Sequence, residues 1–169
     1  SHPLESTDEI PEQMPKAGDG RLGMALEATK HMKEKVGEET ALYGLFCGPF
    51  TLASHLRGTN IFMDMFDDPD YVHSLLDYTT EVCETMADHY AEAGAHVIAA
   101  VDPLVSQISP DHFDEFLTGP YTRLFEHVRK KDLFSSFFVC GDATRNIEVM
   151  CRTEPDGISI DANIEMAEA

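Results

Sequence analysis

The stretch that decides the fold is Leu133–Asp161, LFSSFFVCGDATRNIEVMCRTEPDGISID. An apolar run from Leu133 to Val139 stops at Cys140-Gly141-Asp142. A short amphipathic stretch follows, with Ile147, Val149, Met150 and Cys151 set among Arg145, Asn146 and Glu148. A second apolar run, Gly157 to Ile160, stops at Asp161. Short apolar runs bounded by turn residues read as buried strands, and the amphipathic stretch as a helix. The order strand, polar loop, helix, strand places polar residues where each strand ends, which in parallel α/β folds is the ligand-binding rim.

Working outward, the same alternation fills most of the chain. Residues 1–20 carry Pro3, Pro11, Pro15, Gly18 and Gly20 among acids and read as a linker or surface arm. A helical period begins at Leu22 and runs to Val36, with Gly37 as a left-handed stop. Strands are expected near 41–46, 96–101, 134–139 and 156–160. Between the first two, Pro49 opens a helix that ends at Gly58. A long helix then begins with Asp68 as cap and Pro69 at its first position, and closes at Gly94. Ser109-Pro110-Asp111 opens the next helix, Thr118-Gly119-Pro120 interrupts it, and Arg129, Lys130 and Lys131 complement its C-terminal dipole. Strands alternating with helices mean parallel pairing and right-handed crossovers. The fold class is α/β. Four consecutive βα units are half of a (β/α)8 TIM-type barrel, occupying 21–169. A small open sheet is the other arrangement of four such strands, but Cys47-Gly48-Pro49-Phe50 is not the glycine-rich phosphate loop that doubly wound domains carry after their first strand.

Charge narrows the function classes. With 31 acidic against 12 basic residues the net charge is −19, which repels nucleic-acid phosphates and anionic lipid. No apolar run approaches the roughly 20 residues of a membrane helix, and no signal peptide is visible, so a cytoplasmic protein is expected. Cys47, Cys83, Cys140 and Cys151 form no CxxC pair and fit neither a disulfide framework nor a zinc finger. Cys47, Cys83 and Cys151 are expected to be packing residues.

Gly48-Pro49-Phe50-Thr51-Leu52-Ala53-Ser54 resembles the GPFTLA segment of the uroporphyrinogen decarboxylase superfamily, which includes the decarboxylase and the cobalamin- and thiol-dependent methyltransferases. Further matches follow in order: Pro69–Leu76 as P-x-x-V-H-x-L-L, Glu92-Ala93-Gly94-Ala95, Asp102-Pro103-x-x-Ser106, Ile108–Phe116 as I-S-P-x-x-F-x-E-F, Pro120-Tyr121, Cys140-Gly141-Asp142 and Asp156–Asp161. The resemblance covers nearly all of 20–169 and implies a TIM-type barrel. Barrels of this family are about twice as long, so the chain resembles their middle and is expected to be a piece of a longer protein or to pair with another chain as a homo-oligomer. Half a barrel leaves two strand edges unpaired and its inner face uncovered.

In the methyltransferase branch the resemblance implies a methyl transfer between a corrinoid protein and a small acceptor. It also implies zinc held by a His-x-Cys motif after the third strand here and by a distant cysteine. Cys140 matches the motif's cysteine, Phe138 stands at its histidine, and the distant cysteine would fall beyond Ala169. Zinc normally takes three protein ligands at a catalytic site, so weak zinc binding is expected. In the decarboxylase branch the implied reaction belongs to porphyrin biosynthesis and uses an arginine-rich N-terminal segment that is not found here. His55 falls where those enzymes carry a tyrosine. A non-catalytic accessory barrel is the third reading.

The candidate catalytic residues are Asp102, Asp142 and His55. Asp102 and Asp142 end strands at the rim, where a cap is the other role for such a residue. His55, in the first turns of a rim helix, could act as acid, base or ligand. Phe50, Ser106 and Asp161 are the substrate-binding candidates, and Cys140 the metal candidate. Asp102, Cys140 and Asp142 are expected to converge on one pocket.

Overall fold

A computed structural model describes residues 2–165; residues 166–169 of the expected domain lie outside the described residues. The chain runs α1 (Leu22–Val36), β1 (Tyr43–Cys47), α2 (Pro49–Arg57), α3 (Ile61–Asp67), α4 (Pro69–Glu92), β2 (Val97–Val101), α5 (Pro110–Phe116), α6 (Thr118–Arg129), β3 (Phe134–Phe138), α7 (Ile147–Cys151) and β4 (Gly157–Ser159). The sheet has the order β1-β2-β3-β4, and every neighbouring pair is parallel. The register sets Tyr43, Val97 and Phe134 in one row. Leu45, Ala99, Ser136 and Gly157 form the next row, and Cys47, Val101, Phe138 and Ser159 a third.

The sequence signals act where expected at most helix starts. The Asp68 carboxylate accepts from the Tyr71 amide at 3.2 Å, and the Ser109 hydroxyl accepts from the His112 amide at 3.2 Å. Proline occupies the first turn of α2, α4 and α5, where its missing N–H has no partner to lose. Gly94 adopts φ +93°, as a left-handed stop requires. Gly37 does not. Its φ is −65°, and the helix closes instead by continued right-handed turning, with the Thr40 amide donating to Val36 O.

Helices α4, α5 and α6 cover one face of the sheet. Gly44 permits the close approach of β1 and α4, because a Cβ there would lie 2.6 Å from the Tyr90 ring. Phe137 points to the same side. Its ring lies 4.1 Å from that of Tyr121 and 5.6 Å from that of Phe125, and all three are fully buried. The opposite face is only partly covered: Tyr43 is 53% exposed, Leu45 51% and Phe134 64%, while Val97, Ala99 and Ser136 in the same rows are buried.

Residues 2–20 are held to the helices rather than trailing free. Leu4 is buried, and its amide donates to Leu56 O. The Arg57 guanidinium donates to the carbonyls of Leu4 and Thr7, pairs with Asp64 at 2.6 Å, and lies over the Tyr71 ring. Tyr78 donates to Gln13 O, and His89 meets Pro15 O at 3.0 Å.

Helices α4 and α6 are joined by Asp88, which meets His127 at 2.6 Å and Lys131 at 3.0 Å. Burial pushes the Asp88 carboxyl up, but the hydrogen bonds from His127 and Lys131 outweigh it and leave the pKa below its ordinary 3.8. A depressed acid contributes stability that is full above the unfolded value and is lost as pH falls through the folded one. Acid titration followed by circular dichroism is therefore expected to show Asp88→Asn less stable than the parent at neutral pH. It should also show a flatter loss of stability below pH 3.8.

Candidate functional site

The C-terminal ends of the strands place Gly48, Asp102, Cys140 and Asp161 on one rim. Asp102 lies inside it rather than on it. The residue has no exposed surface, and its carboxylate turns sideways to the start of α2. There it accepts from the amides of Phe50 and Thr51 at 3.0 Å, from the Thr51 hydroxyl at 2.6 Å and from the Tyr121 hydroxyl. Burial pushes this carboxyl above its ordinary value, while the Thr51, Tyr121 and Phe50 hydrogen bonds pull it back. The same burial, with the Asp102 charge beside it, drives the Tyr121 phenol well up. Only glycine fits at 48, because a Cβ there would sit 2.5 Å from the Tyr121 oxygen and 2.6 Å from Asp102 Oδ2. Asp102 thus ties the ends of β1 and β2 to α2 and α6.

A second group opens to solvent. Ser106, Asp142, Thr144 and Arg145 line a cavity of about 490 Å³. Gly141, at φ +83°, turns the chain between Cys140 and Asp142, and its amide donates to Asp161 Oδ2 at 2.9 Å. The Ser106 hydroxyl donates to Pro103 O at 2.7 Å, and Arg145 donates to Ser106 O at 3.3 Å. Asp142 accepts from the Thr144 hydroxyl at 2.7 Å and from its amide at 3.1 Å, which hold its pKa below the ordinary value. Asn146 fastens this loop from beneath by donating to Val105 O at 2.7 Å and Ile108 O at 3.0 Å. Ser106 and Asp142 therefore share one cavity, with Asp161 tied to the loop between them. The sequence does not single out these residues: Arg145 and Asn146 read only as the polar side of a short helix, and Thr144 carries no signal of its own.

The other candidates lie elsewhere. Phe50 is fully enclosed, edge-on to Phe62 at 5.8 Å, so its ring is part of the core and presents no surface to a ligand. His55 is exposed and lines a separate cavity of about 200 Å³ with His2, Ser54, Phe62, Leu104 and Gln107. Its carbonyl meets His2 Nδ1 at 2.9 Å. Asp102, being enclosed, does not join Cys140 and Asp142 in one pocket. Among the other cysteines, Cys83 is buried and donates to Cys47 O at 3.3 Å, whereas Cys47 and Cys151 are exposed, contrary to expectation. Cys47 faces the partly covered side of the sheet, and the five-residue α7 is too short to bury its last residue.

The zinc set implied by the resemblance does not fit the described residues. Phe138 offers no donor atom where the motif has histidine, and no group of three His, Cys, Asp or Glu side chains among the described residues could hold a metal ion. No helix among the described residues is long and apolar enough to cross a membrane.

Comparison with known proteins places these elements in context. The family model described as uroporphyrinogen decarboxylase (URO-D) matches residues 2–169. A methylcobamide:CoM methyltransferase, MtbA, of Methanosarcina acetivorans is 30% identical over 89% of this chain and 45% of its own length. A uroporphyrinogen decarboxylase of Prochlorococcus marinus is 25% identical over 98% of this chain and 49% of its own. Among solved structures, a methyltransferase from Methanosarcina mazei superposes with a TM-score of 0.85 at 30% identity, covering 93% of this chain and 47% of that one. The chain spans about half the length of the curated relatives it matches.

Proposed function

The chain belongs to the uroporphyrinogen decarboxylase family, and from that premise we propose that it forms half of a methyltransferase barrel moving a methyl group between a corrinoid protein and a small acceptor. The observation that carries this reading is the likeness to a solved methyltransferase, with a TM-score of 0.85 at 30% identity. Relatives named as methylcobamide:CoM methyltransferases reach 30% identity, against 25% for the decarboxylase above. The acceptor would lie in the rim cavity of Ser106, Asp142, Thr144 and Arg145, with Asp161 beside it on the Gly141 amide. Arg145 supplies the cation there, and a planar guanidinium suits an anionic acceptor group. Thr144 holds Asp142 ionised, so Asp142 is placed to orient a donor on the acceptor rather than to deliver a proton. Asp102 and Gly48 keep the rim in shape, and no step is assigned to His55 or Phe50.

The test is to incubate the protein with methylcobalamin and a small anionic thiol, following loss of the methylcobalamin absorbance. Methyl transfer is expected, falling about tenfold or more in Arg145→Ala, as the loss of one charge-assisted hydrogen bond implies. Conversion of uroporphyrinogen with no demethylation of methylcobalamin would overturn the reading in favour of the decarboxylase.

A further inference from the structure

Taking the rim cavity as the acceptor site, as proposed above, we infer that Asn146 is the positioning residue that sets its affinity for an anionic acceptor. Asn146 is fully enclosed and stands outside the four residues that line the cavity, so it acts through them.

Asparagine at the start of a helix ordinarily turns its side-chain oxygen back to accept from an amide of the first turn. Asn146 stands at that place before α7 and makes no such bond. Its amide nitrogen reaches instead to the 3-10 turn Pro103–Gln107 and the residue after it, donating to Val105 O at 2.7 Å and to Ile108 O at 3.0 Å. Both side-chain N–H groups are thereby used. These contacts fix the orientation of the amide, since an oxygen in the nitrogen's place would face two carbonyl oxygens. Oδ1 is left buried with no hydrogen-bond partner. A buried acceptor without a donor and a helix start without its cap both lower stability. What the side chain secures in exchange is the position of residues 105–108.

Those residues form one wall of the cavity, and residues 141–146 form the other. Ser106 lies between the two residues that Asn146 grips, and its carbonyl accepts from Arg145 at 3.3 Å. The dipeptide Arg145-Asn146 thus holds three carbonyls of four successive residues. The Asn146 backbone N–H also closes its own turn onto Ala143 O at 2.8 Å, within the segment that bears Asp142 and Thr144. The walls approach closely, for a Cβ at Gly141 would lie 3.2 Å from Ser106 Oγ. Arg145 is the one cation among the four lining residues. It is aimed by a carbonyl whose place depends on Asn146. A guanidinium takes an anion through a fixed fork of N–H groups, so a shift of its anchor misaligns both bonds at once.

Calorimetric titration of mercaptoacetate, a small anionic thiol, into the 169-residue chain and its variants tests this. Asn146→Ala is expected to weaken binding about tenfold, as a displacement under about 1 Å implies, at unchanged stoichiometry. A residue needed only for folding would lower the stoichiometry with the unfolded fraction and leave the affinity of the remainder intact. Asn146→Asp keeps the volume but loses both donors at neutral pH, and is expected to bind as weakly as the alanine variant. Its affinity relative to the parent at the same pH should recover in part as acid protonates the carboxyl, which then donates one hydrogen bond. In the ligand-free protein, hydrogen exchange in residues 103–108 is expected to quicken in both variants, with α4 unchanged. Where Asn146→Ala does not fold, Asn146→Asp carries the same readings.

Arg145→Ala, expected to weaken binding about tenfold or more, separates the outcomes. Loss of binding there, with parent-like affinity in the Asn146 variants, would overturn the role of Asn146 and leave the acceptor reading standing. Weakened binding in those variants with unchanged exchange in 103–108 would overturn the role as well. Failure of the parent to bind, or parent-like binding by Arg145→Ala, would overturn the acceptor reading and the role of Asn146 with it.

Discussion

Asp102→Ala is expected to destabilise the fold by about 4 kcal/mol, lowering Tm by about 10 °C. The carboxylate accepts four hydrogen bonds in a place water does not reach, from the Phe50 and Thr51 amides and the Thr51 and Tyr121 hydroxyls. Alanine leaves these donors buried without an acceptor, at about 1–3 kcal/mol each and with less than additive total. Asn is expected to fall between, since its amide keeps one acceptor but turns N–H groups toward N–H groups. Urea titration of the three proteins checks the order. Equal stability of Ala and Asp would show that the rim does not depend on this lock. The pH dependence has the opposite sign to that of Asp88. Burial raises the folded pKa of Asp102, so folding takes up a proton between the ordinary 3.8 and the raised value, and this proton-linked part of the stability is full below 3.8 and is lost as pH rises through the raised value, on top of the pH-independent hydrogen bonding. The Asn variant, which cannot ionise, should lack that component.

Phe137→Ala is expected to cost about 3–5 kcal/mol. The ring is fully buried between the sheet and the helices, stacked on Tyr121 at 4.1 Å and close to Phe113 and Phe125. Removing it opens a cavity that rigid aromatic neighbours cannot fill. It also frees the Tyr121 ring whose hydroxyl reaches Asp102, so the rim should loosen with the core. Phe137→Leu keeps most of the volume and should lose about half as much. Thermal unfolding with near-ultraviolet circular dichroism would record both effects, and a loss below about 1 kcal/mol for the alanine variant would refute this picture of the core.

The strands and most helix starts were legible because their causes are local: a short apolar run, a capping Asp68 or Ser109, a proline at a first turn. Strand order followed from crossover geometry alone. The candidate site was less legible, and Asp102 shows why. An aspartate after a strand reads the same whether it rises into the rim or turns aside to the start of the next helix. Only the positions of Gly48 and Tyr121, distant in sequence, settle which. Cys151 misled because a periodic pattern promises a buried face only if the helix lasts, and α7 is five residues long. The packing of residues 2–20 was invisible, since Leu4 and Ile10 are isolated apolar residues with no period to read.

The way those residues are held has an evolutionary consequence. Arg57, Tyr78 and His89 meet main-chain carbonyls of Leu4, Thr7, Gln13 and Pro15, groups that nearly any amino acid would present. The segment is therefore free to drift at Thr7, Gln13 and Pro15 as long as its path is kept, whereas the three residues that grip it, and Leu4 with its side chain buried in the core, are not. Among descendants of this chain, substitutions should accumulate on the strap and spare the buckle.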